Sequence, residues 1–465
     1  MSILNLTARQ LVAHVKQGDL SVSDITLAYV NQILTFNNKI NALVQFDAES
    51  ALLQANRIDK NLKKYAHKIL LGVPVTIKNA CSVLGFKPDK GSTGLLGQAS
   101  VSDATIVARL RDQGAIILGL TNTPEFSIGF ETDNLVYGQT KNPYDLSRTP
   151  GGSSGGEAAA LAARCSLIGI GSDATGSLRV PAHNTGIATI RLTQGRIPYT
   201  GTIPVDAMGL FSQFISYGPM ARTVDDLALV SPVLIGPDNL DPHVVPVPWP
   251  KHRKIEVDKL NIAYYSDDGI SKINGPTKKT LLTVVRCLKS VAHSVVETRP
   301  SVLDSMENLL IHSIFLGGDR GKWLKDIIKK FNIMEPSPLL MEFLELCKKS
   351  KLSITDLRVN WMNIDRVRRQ MLEFMEPFDL IVCPVAATEA KLHGHSYREI
   401  KDFSYTIFYS LVNWPIVVVR CGTSDDGLPI GLQIIAKPWR EDVALYLASY
   451  LETALGNMGL AKGFF

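Results

Sequence analysis

Residues 150–182 place two glycine- and serine-rich turns around an alanine-rich helix and a short apolar strand; they read PGGSSGGEAAALAARCSLIGIGSDATGSLRVPA. Glycine is tolerated where the backbone takes a positive φ or approaches another group closely. Glycines beside hydroxyls in both turns therefore predict that Ser153 or Ser154 faces Ser177 across one pocket. A flexible linker is the competing interpretation. It is disfavoured because a Gly- and Ser-rich linker would not carry a helix and a strand between its ends.

Short apolar strands alternate with helices on either side of this segment. The pattern predicts strands at 70–78 and 115–120, with a helix at 104–113 between them. Near the C-terminus, apolar runs at 416–420 and 430–435 predict the two strands of a hairpin. Such alternation favours an α/β fold built on a largely parallel sheet.

The chain is expected to form one domain with four regions. These are N-terminal helices at 1–66, a core that carries the segment above at 70–235, a variable helical cap at 240–375, and a C-terminal part of the core at 376–465. Within the first region, Thr7 and either Ser21 or Ser23 are expected to cap helices. A helix at 224–230 is expected to end before Pro232.

Composition limits the classes of protein that the chain can represent. Of its 465 residues, 45% are hydrophobic and 20% are charged, as in soluble globular proteins. No apolar run approaches the roughly 18 residues that span a bilayer, and six cysteines without a C-x-x-C pair favour reduced thiols in the cytoplasm. The net charge of +5 is spread along the chain, and the basic run at 251–254 is short. We therefore expect neither a membrane span nor a nucleic-acid partner.

The sequence lacks the motifs of several common chemistries. His393 and His395 have no carboxylate or cysteine partner at a metal-binding spacing. A dinucleotide-binding G-x-G-x-x-G and a phosphate-binding loop are both missing, so no metal and no cofactor are expected. A G-x-S-x-G elbow is missing as well. His183 follows Ser177 by six residues, but it is better interpreted as a satisfied polar residue than as a base.

These absences leave a serine nucleophile that a group other than histidine activates. A Ser–Lys pair is one solution, and it requires a lysine whose pKa lies below its ordinary value of about 10.4 because of burial and positive surroundings. Lys78 ends an apolar strand and suits this requirement. The competing interpretation is that Lys78 is the first solvated residue after a core strand.

Residues 150–182 closely resemble the signature segment of the amidase signature family of serine hydrolases. That family includes fatty acid amide hydrolases, bacterial amidases and the A subunit of glutamyl-tRNA(Gln) amidotransferase. The resemblance continues co-linearly in GVPVTIKNA (72–80), DATIVARLRDQGAIILGLTNTPEF (103–126), YGQTKNPYD (137–145), GPMARTVDDLAL (218–229) and GLPIGLQII (427–435). Only 240–375 shows no recognisable pattern. The resemblance implies a large mixed, mostly parallel central sheet that helices cover on both faces.

The resemblance also implies roles for individual residues. Ser177 matches the nucleophile, Ser153 the bridging serine after a cis peptide bond, and Lys78 the general base. The matching oxyanion hole consists of the backbone N–H groups of Ala174, Thr175, Gly176 and Ser177, and the matching supporting residues are Ser154, Asp173 and Arg179. Ser127 matches a substrate-contacting loop. The sequence departs from the family at Asn79, at Thr175 and over 189–193, where Asp, Gly and GLKPT are usual.

The expected activity is that of a stand-alone amidase, which hydrolyses a small-molecule carboxylic amide through an acyl-enzyme. Two alternatives remain open: an amidotransferase A subunit that needs partner subunits and charged tRNA, and a non-catalytic protein that keeps the fold. A homodimer is also left open. Apolar helices at 300–350 predict an apolar acyl side of the substrate, unless they are simply the buried faces of the cap; their residues are Leu309, Leu310, Ile314, Phe315, Leu316, Leu339, Leu340 and Phe343.

Overall fold

The computed structural model of the chain describes residues 2–203, 209–250, 255–305, 318–456, 461 and 463. The helices, numbered in chain order, are α1 (Ala8–Gln17), α2 (Val22–Ile40), α3 (Ala48–Asp59), α4 (Leu62–Tyr65), α5 (Thr105–Asp112), α6 (Gly155–Ala162), α7 (Arg179–Thr185), α8 (Val224–Leu234), α9 (Gly275–Lys289), α10 (Lys322–Lys330), α11 (Pro338–Cys347), α12 (Ile354–Phe374), α13 (Ser404–Val412) and α14 (Glu441–Leu455). The strands are β1 (Leu43–Phe46), β2 (Pro74–Lys78), β3 (Ile116–Thr121), β4 (Ile168–Asp173), β5 (Ala188–Arg191), β6 (Ser216–Ala221), β7 (Asn261–Tyr264), β8 (Ser294–Glu297), β9 (Leu380–Pro384), β10 (Ile416–Thr423) and β11 (Pro429–Ala436). The α/β class is therefore confirmed.

The eleven strands form one sheet, in the order β1-β3-β2-β4-β6-β5-β10-β11-β9-β7-β8. Neighbouring strands run parallel in two groups, β3-β2-β4 and β9-β7-β8. The other neighbours are antiparallel, including the expected hairpin of β10 and β11. The mixed sheet is confirmed, but the expectation of mostly parallel pairing is corrected. A strand that returns through a tight turn, as β11 does, can pair only antiparallel with the strand before it.

The strands that lead to Lys78 and Asp173, and their neighbour β3, are fully buried. Every residue of β2, β3 and β4 is buried, so both faces of this part of the sheet are covered. Helix α6 is also buried along its whole length. Its small residues allow such close packing, because glycine and alanine side chains add little volume between backbones.

Side-chain caps hold the first two helices of the N-terminal region. Thr7 and Ser21 each form a capping box, with Gln10 and Asp24 respectively returning the hydrogen bond. Ser21 rather than Ser23 is thus the cap of α2. The region also contains β1, which the helical pattern did not predict. This short strand is only partly buried and is recognisable mainly through its antiparallel pairing with β3.

Helix α8 continues through Pro232, contrary to the expectation that it ends before this residue. Val230 and Leu234 are fully buried, so the additional turn adds apolar contact. The Arg109 guanidinium donates to the carbonyl oxygens of Leu234 and Ile235 at 2.7 and 3.0 Å, and so satisfies groups at the helix end. Burial and capping together outweigh the hydrogen bond that proline cannot donate.

The 240–375 region contributes more than a cap of helices. Its strands β7 and β8 lie at one edge of the central sheet. Part of the apolar helices expected at 300–350 lies outside the described residues, with Leu309, Leu310, Ile314, Phe315 and Leu316, and so does the basic run at 251–254. Within the described ranges, no helix is long and apolar enough to cross a membrane, and no cluster of three His, Cys, Asp or Glu side chains could hold a metal ion.

Candidate active site

Two neighbouring parallel strands bring the expected site residues together at one edge of the sheet. β2 ends at Lys78 and β4 ends at Asp173, and their parallel pairing, in which Ile77 lies opposite Ile170, brings both carboxyl ends to the same edge of the sheet. Loops beyond the carboxyl ends of parallel strands commonly line binding sites. Ser153 and Ser154 precede α6, and the turn at 174–178 connects β4 to α7. Both turns of the 150–182 segment therefore open at the same edge.

The Lys78 side chain is fully buried, with 0% of its surface exposed, so it is not the solvated end of a strand. Its Nζ atom lies 2.6 Å from Ser153 Oγ and 3.1 Å from Ser172 Oγ. Burial is the main cause that holds the pKa of Lys78 well below its usual value, and the positive charge of Lys90 lowers it further. These surroundings favour the neutral amine, which can accept a proton.

The backbone joins the two serine-bearing turns. The peptide bond between Gly152 and Ser153 is cis, which is the configuration that the resemblance implied. The Ser154 N–H donates to the Ser177 carbonyl oxygen at 3.2 Å. Ser177 is 8% exposed. Among the described residues, no side-chain hydrogen bond joins Ser153 to Ser177, so the structure aligns the two hydroxyl-bearing segments without linking their hydroxyls directly.

Asp173 organises the turn that carries Ser177. Its carboxylate accepts hydrogen bonds from the Gly176 and Leu178 N–H groups at 2.9 and 3.1 Å and from two nitrogens of Arg179 at 2.9 and 3.0 Å. Arg191 Nε lies 3.7 Å from the same carboxylate. Burial alone would raise the pKa of Asp173. The Arg179 charge and hydrogen bond, then the Arg191 charge, outweigh burial and lower this pKa to about 2.

One of the four N–H groups expected in the oxyanion hole has an acceptor within the chain. The Gly176 N–H is already donated to Asp173, so it is not directed at a substrate oxygen. The N–H groups of Ala174, Thr175 and Ser177 have no acceptor in the described part of the chain. Gly176 takes the positive φ of this turn, 124°, and a Cβ there would lie 2.6 Å from Thr406 Oγ1. Glycine is therefore required at 176, whereas 175 accommodates threonine.

The loop of Ser127 contacts Ser153 through Thr123. Thr123 Oγ1 donates to the Ser153 carbonyl oxygen at 2.9 Å and lies 3.2 Å from Ser127 Oγ. Phe126 and Ser127 both take the left-handed conformation, with φ of 56° and 60°. This conformation is uncommon outside glycine and often marks functional loops. Thr123 was not identified from sequence, although its position just after β3 was a signal.

Ser172 and Glu157 are further polar residues beside Lys78 that sequence reasoning missed. Ser172 sits at the end of β4 next to Asp173, where a hydroxyl interrupts an apolar strand. Glu157 accepts hydrogen bonds from Thr76 Oγ1 at 2.6 Å and Thr121 Oγ1 at 2.8 Å. Burial raises the pKa of Glu157 to about 8 against the opposing effect of these bonds. Its carboxyl is therefore mostly neutral at pH 7.

Asn79, where the family usually has Asp, pairs with a carboxylate elsewhere in the same loop. Asn79 Nδ2 donates to Asp89 Oδ1 at 2.8 Å, and Asn79 Oδ1 accepts from the Asp89 N–H at 2.9 Å. Tyr137 also donates to the Asp89 carboxylate. The loop thus carries its carboxylate at position 89, and the Asn79 side-chain amide donates a hydrogen bond to that carboxylate. In the other departure, over 189–193, Arg191 gives Asp173 its second cation.

His183 does not take part in the site. Its Nδ1 accepts from the Gly431 N–H at 3.0 Å, and its Nε2 donates to the Thr388 carbonyl oxygen at 3.0 Å, a tautomer assigned from these two partners. The interpretation of His183 as a satisfied polar residue is therefore confirmed. His393 and His395 lie in the loop between β9 and α13.

The model of the amidase family matches residues 24–445. The chain belongs to the amidase family. Human fatty-acid amide hydrolase 2 is 29% identical, over 98% of this chain and 90% of its own length. The A subunit of glutamyl-tRNA(Gln) amidotransferase from Clostridium botulinum is 28% identical, over 98% of both chains. A solved fatty acid amide hydrolase structure shares the fold, with a TM-score of 0.88 over 98% of this chain and 86% of that one at 24% identity. The suspected family is confirmed, and with it the class of activity, hydrolysis of amide bonds.

Proposed function

We propose that this member of the amidase family acts alone on a carboxylic amide, with Ser177 as nucleophile, Ser153 as proton relay and Lys78 as general base. The observation that carries the proposal is the 2.6 Å contact between buried Lys78 Nζ and Ser153 Oγ. Within the described residues no carboxylate forms an ion pair with Lys78. A buried lysine that faces hydroxyls instead of a counter-ion is suited to accept a proton from them.

Acylation then needs two proton transfers in one direction. Lys78 Nζ takes the proton of Ser153 as Ser153 Oγ takes that of Ser177, and Ser177 Oγ forms a bond to the amide carbon. As the tetrahedral intermediate collapses, the carbon–nitrogen bond breaks. The proton returns from Lys78 through Ser153 to the leaving nitrogen, which departs as ammonia or an amine. An ester on Ser177 remains.

Deacylation repeats the relay with water. The relay takes a proton from water as the water oxygen bonds to the acyl carbon. The bond between that carbon and Ser177 Oγ then breaks, and Ser177 regains its proton from the relay as the acid leaves. In both halves the oxyanion faces the N–H groups of Ala174, Thr175 and Ser177, while Asp173 holds the turn through Gly176. Each such donor typically contributes about 2.7–4 kcal/mol to transition-state stabilisation.

The acyl side of the pocket is proposed to be apolar. Phe126 and Ile128, on either side of Ser127, pack in one cluster with Leu340 and Leu344 of α11 and Leu324 of α10. Apolar walls of this kind favour an aliphatic or aromatic acyl group over a charged one. The expected alternative, in which these helix faces are only the core of the cap, predicts equal turnover of polar and apolar acyl groups.

An amidotransferase A subunit is the second candidate, supported by the full-length similarity to such a subunit. Such a protein would co-purify with partner subunits and would release ammonia from glutamine. Stand-alone activity on apolar amides with the isolated chain would exclude this candidate.

A fluorophosphonate probe tests the catalytic assignment without knowledge of the substrate. We expect stoichiometric labelling of the wild-type chain, no labelling of Ser177→Ala, and slow residual labelling of Ser153→Ala, because the nucleophile survives there without its relay. An unlabelled wild-type chain that remains folded would support a non-catalytic protein. A panel of aliphatic, aryl and long-chain amides, assayed for acid release, then identifies the acyl class.

A further inference from the structure

Lys90 is a buried lysine that forms no ion pair with any residue that the structure describes. It is 5% exposed, and within the described ranges its Nζ donates to one neutral acceptor, the Ile203 carbonyl oxygen, at 2.9 Å. No carboxylate among the described residues forms an ion pair with it. The neighbouring Asp89 is engaged by Asn79, Gly91 and Tyr137 instead. Lysine is almost never fully buried without a partner, because an unpaired charge away from water is costly. Such an arrangement calls for an explanation.

Both ends of Lys90 are attached to the segment that follows Lys78. The Lys90 N–H lies 3.4 Å from Asn79 Oδ1, so the backbone of Lys90 is held beside the residue next to the base. The Ile203 carbonyl that receives Nζ belongs to a residue whose own N–H donates to the Ala80 carbonyl oxygen at 3.1 Å. The ammonium group is therefore fixed near the end of β2 and is not a free surface charge.

The other ionisable groups around Lys78 are neutral or already compensated. Asp173 is paired with Arg179 and Arg191. Burial raises the pKa of Glu157 to about 8 and that of Cys81 to about 12, so that both are mostly uncharged at pH 7. Lys90 is the charged group near Lys78 that has no counter-ion of its own in the described structure.

We propose that Lys90 is a positioning residue that acts through Lys78, as a fixed cation that keeps the general base in its neutral, proton-accepting form. The inference rests on the proposed function, because it concerns the base of that mechanism. Two ammonium groups in a water-poor site repel each other, so one of them gives up its proton more readily. A nearby cation is a known way to activate a lysine amine.

The pKa values of Lys90 and Lys78 indicate the charge that each lysine carries. Burial lowers the pKa of Lys90 to about 8. The pKa of Lys78 is held well below its usual value by burial and then by the Lys90 charge. Well below pH 8 Lys90 is thus mostly protonated, and its charge opposes protonation of Lys78. Removal of that charge should raise the pKa of Lys78 and move the acid limb of activity to higher pH.

The test is the pH dependence of the second-order rate constant for fluorophosphonate labelling of Ser177. Lys90→Met removes the charge at similar volume, and Lys90→Arg keeps it. We expect the acid limb of Lys90→Met to move up by about one pH unit, with labelling recovered at higher pH, and the limb of Lys90→Arg to stay at or below the wild-type position. Lys87→Met, an exposed lysine of the same loop, is the matched control and should leave the limb in place.

Three outcomes would overturn the inference. The first is an acid limb of the Lys90→Met labelling rate that lies at the same pH as that of the wild type. The second is a loss of labelling that is equal at every pH in folded protein, which indicates a structural role only. The third is a rise in KM confined to amides that carry a carboxylate, which would make Lys90 a substrate-binding residue. Failure of the proposed function looks different: Ser177→Ala would still label, or Lys78→Arg would label as wild type.

Discussion

The catalytic edge of the sheet, formed by Lys78, Ser153, Asp173 and Ser177, differs from the cap helices α10 and α11 in what holds it in place. At the catalytic edge, buried polar groups bond to one another, and the charge of Asp173 is met by two arginines. The cap helices meet this edge mainly through apolar packing around Phe126 and Ile128. Directional bonds fix positions to tenths of an ångström, whereas apolar contacts tolerate different shapes.

A polar anchor attaches the start of α11 to the loop that carries Phe126 and Ile128. The Glu125 carboxylate accepts from Ser92 Oγ at 2.8 Å and from the Ser337 N–H, at the start of α11, at 2.7 Å. The two regions are therefore expected to control different properties of the enzyme, the rate of turnover and the choice of substrate. Changes at the catalytic edge should slow turnover of every amide, whereas changes at the anchor or in the cap should alter which amide is preferred.

The largest expected effect is at Lys78. Lys78→Ala should lower kcat/KM by several orders of magnitude for all amides, because the relay loses its acceptor. Lys78→Arg should do no better, since a guanidinium stays protonated and cannot take the proton. In the wild type, kcat/KM should rise with pH as the Lys78 amine loses its proton, with an apparent pKa below the ordinary value of about 10.4. Near-normal turnover by Lys78→Arg would contradict the assignment of the base.

Asp173→Asn should be the most destabilising change at the catalytic edge. It leaves two buried arginines without their counter-ion, which typically costs about 3–5 kcal/mol in the free energy of unfolding. The folded-state pKa of about 2 lies below the ordinary value. The stability that this carboxylate contributes is thus present above about pH 4 and lost as the pH falls towards 2. Denaturant unfolding at pH 7 and at pH 3 measures both effects.

Asp112→Asn is the matched control for this prediction. Asp112 is mostly exposed, and its ion pair with Lys68 lies at the surface. Its loss should cost no more than about 1 kcal/mol. Equal losses for the two variants would show that the ion pairs of Asp173 do not set the stability of the turn.

The residues that sequence could identify are those whose role follows from a local pattern. β2 and β4 are short apolar runs, and the serines and Lys78 stand in segments that resemble a known family. Lys90 showed no such pattern and Thr123 showed only its position just after β3, because each role depends on a distant partner. The Lys90 ammonium meets a carbonyl 113 positions away, and Thr123 meets one 30 positions away. Likewise β8 is partly exposed and pairs only with β7, so it has no clear apolar pattern.

Glu125→Gln should have an intermediate effect, confined to the cap. Both partners of Glu125, Ser92 Oγ and the Ser337 N–H, are donors. The variant amide can accept through its oxygen only, so its NH2 group faces one of these donors, and a buried mismatch of this kind costs about 1–3 kcal/mol. We expect KM for bulky apolar amides to rise several-fold while the fluorophosphonate labelling rate stays close to wild type. Glu335→Gln, at an exposed position of the loop that leads into α11, should change neither. An equal loss of kcat for small and bulky amides would contradict the division between edge and cap.

Thr175→Gly should have the smallest effect, although it lies inside the oxyanion turn. Gly176 takes the positive φ of 124°, so Thr175 needs no glycine-like backbone and contributes its N–H. Its carbonyl oxygen accepts from Thr406 Oγ1 at 3.2 Å, a contact that any residue at 175 can keep. We expect kcat/KM to change by less than tenfold, about 1.4 kcal/mol. Gly176→Ala is the contrasting variant and should lose far more, because its Cβ would meet Thr406 Oγ1 at 2.6 Å. A gain of more than tenfold in Thr175→Gly would mean that threonine restrains the oxyanion donors, and that the catalytic edge is less well arranged for amide hydrolysis than its hydrogen bonds indicate.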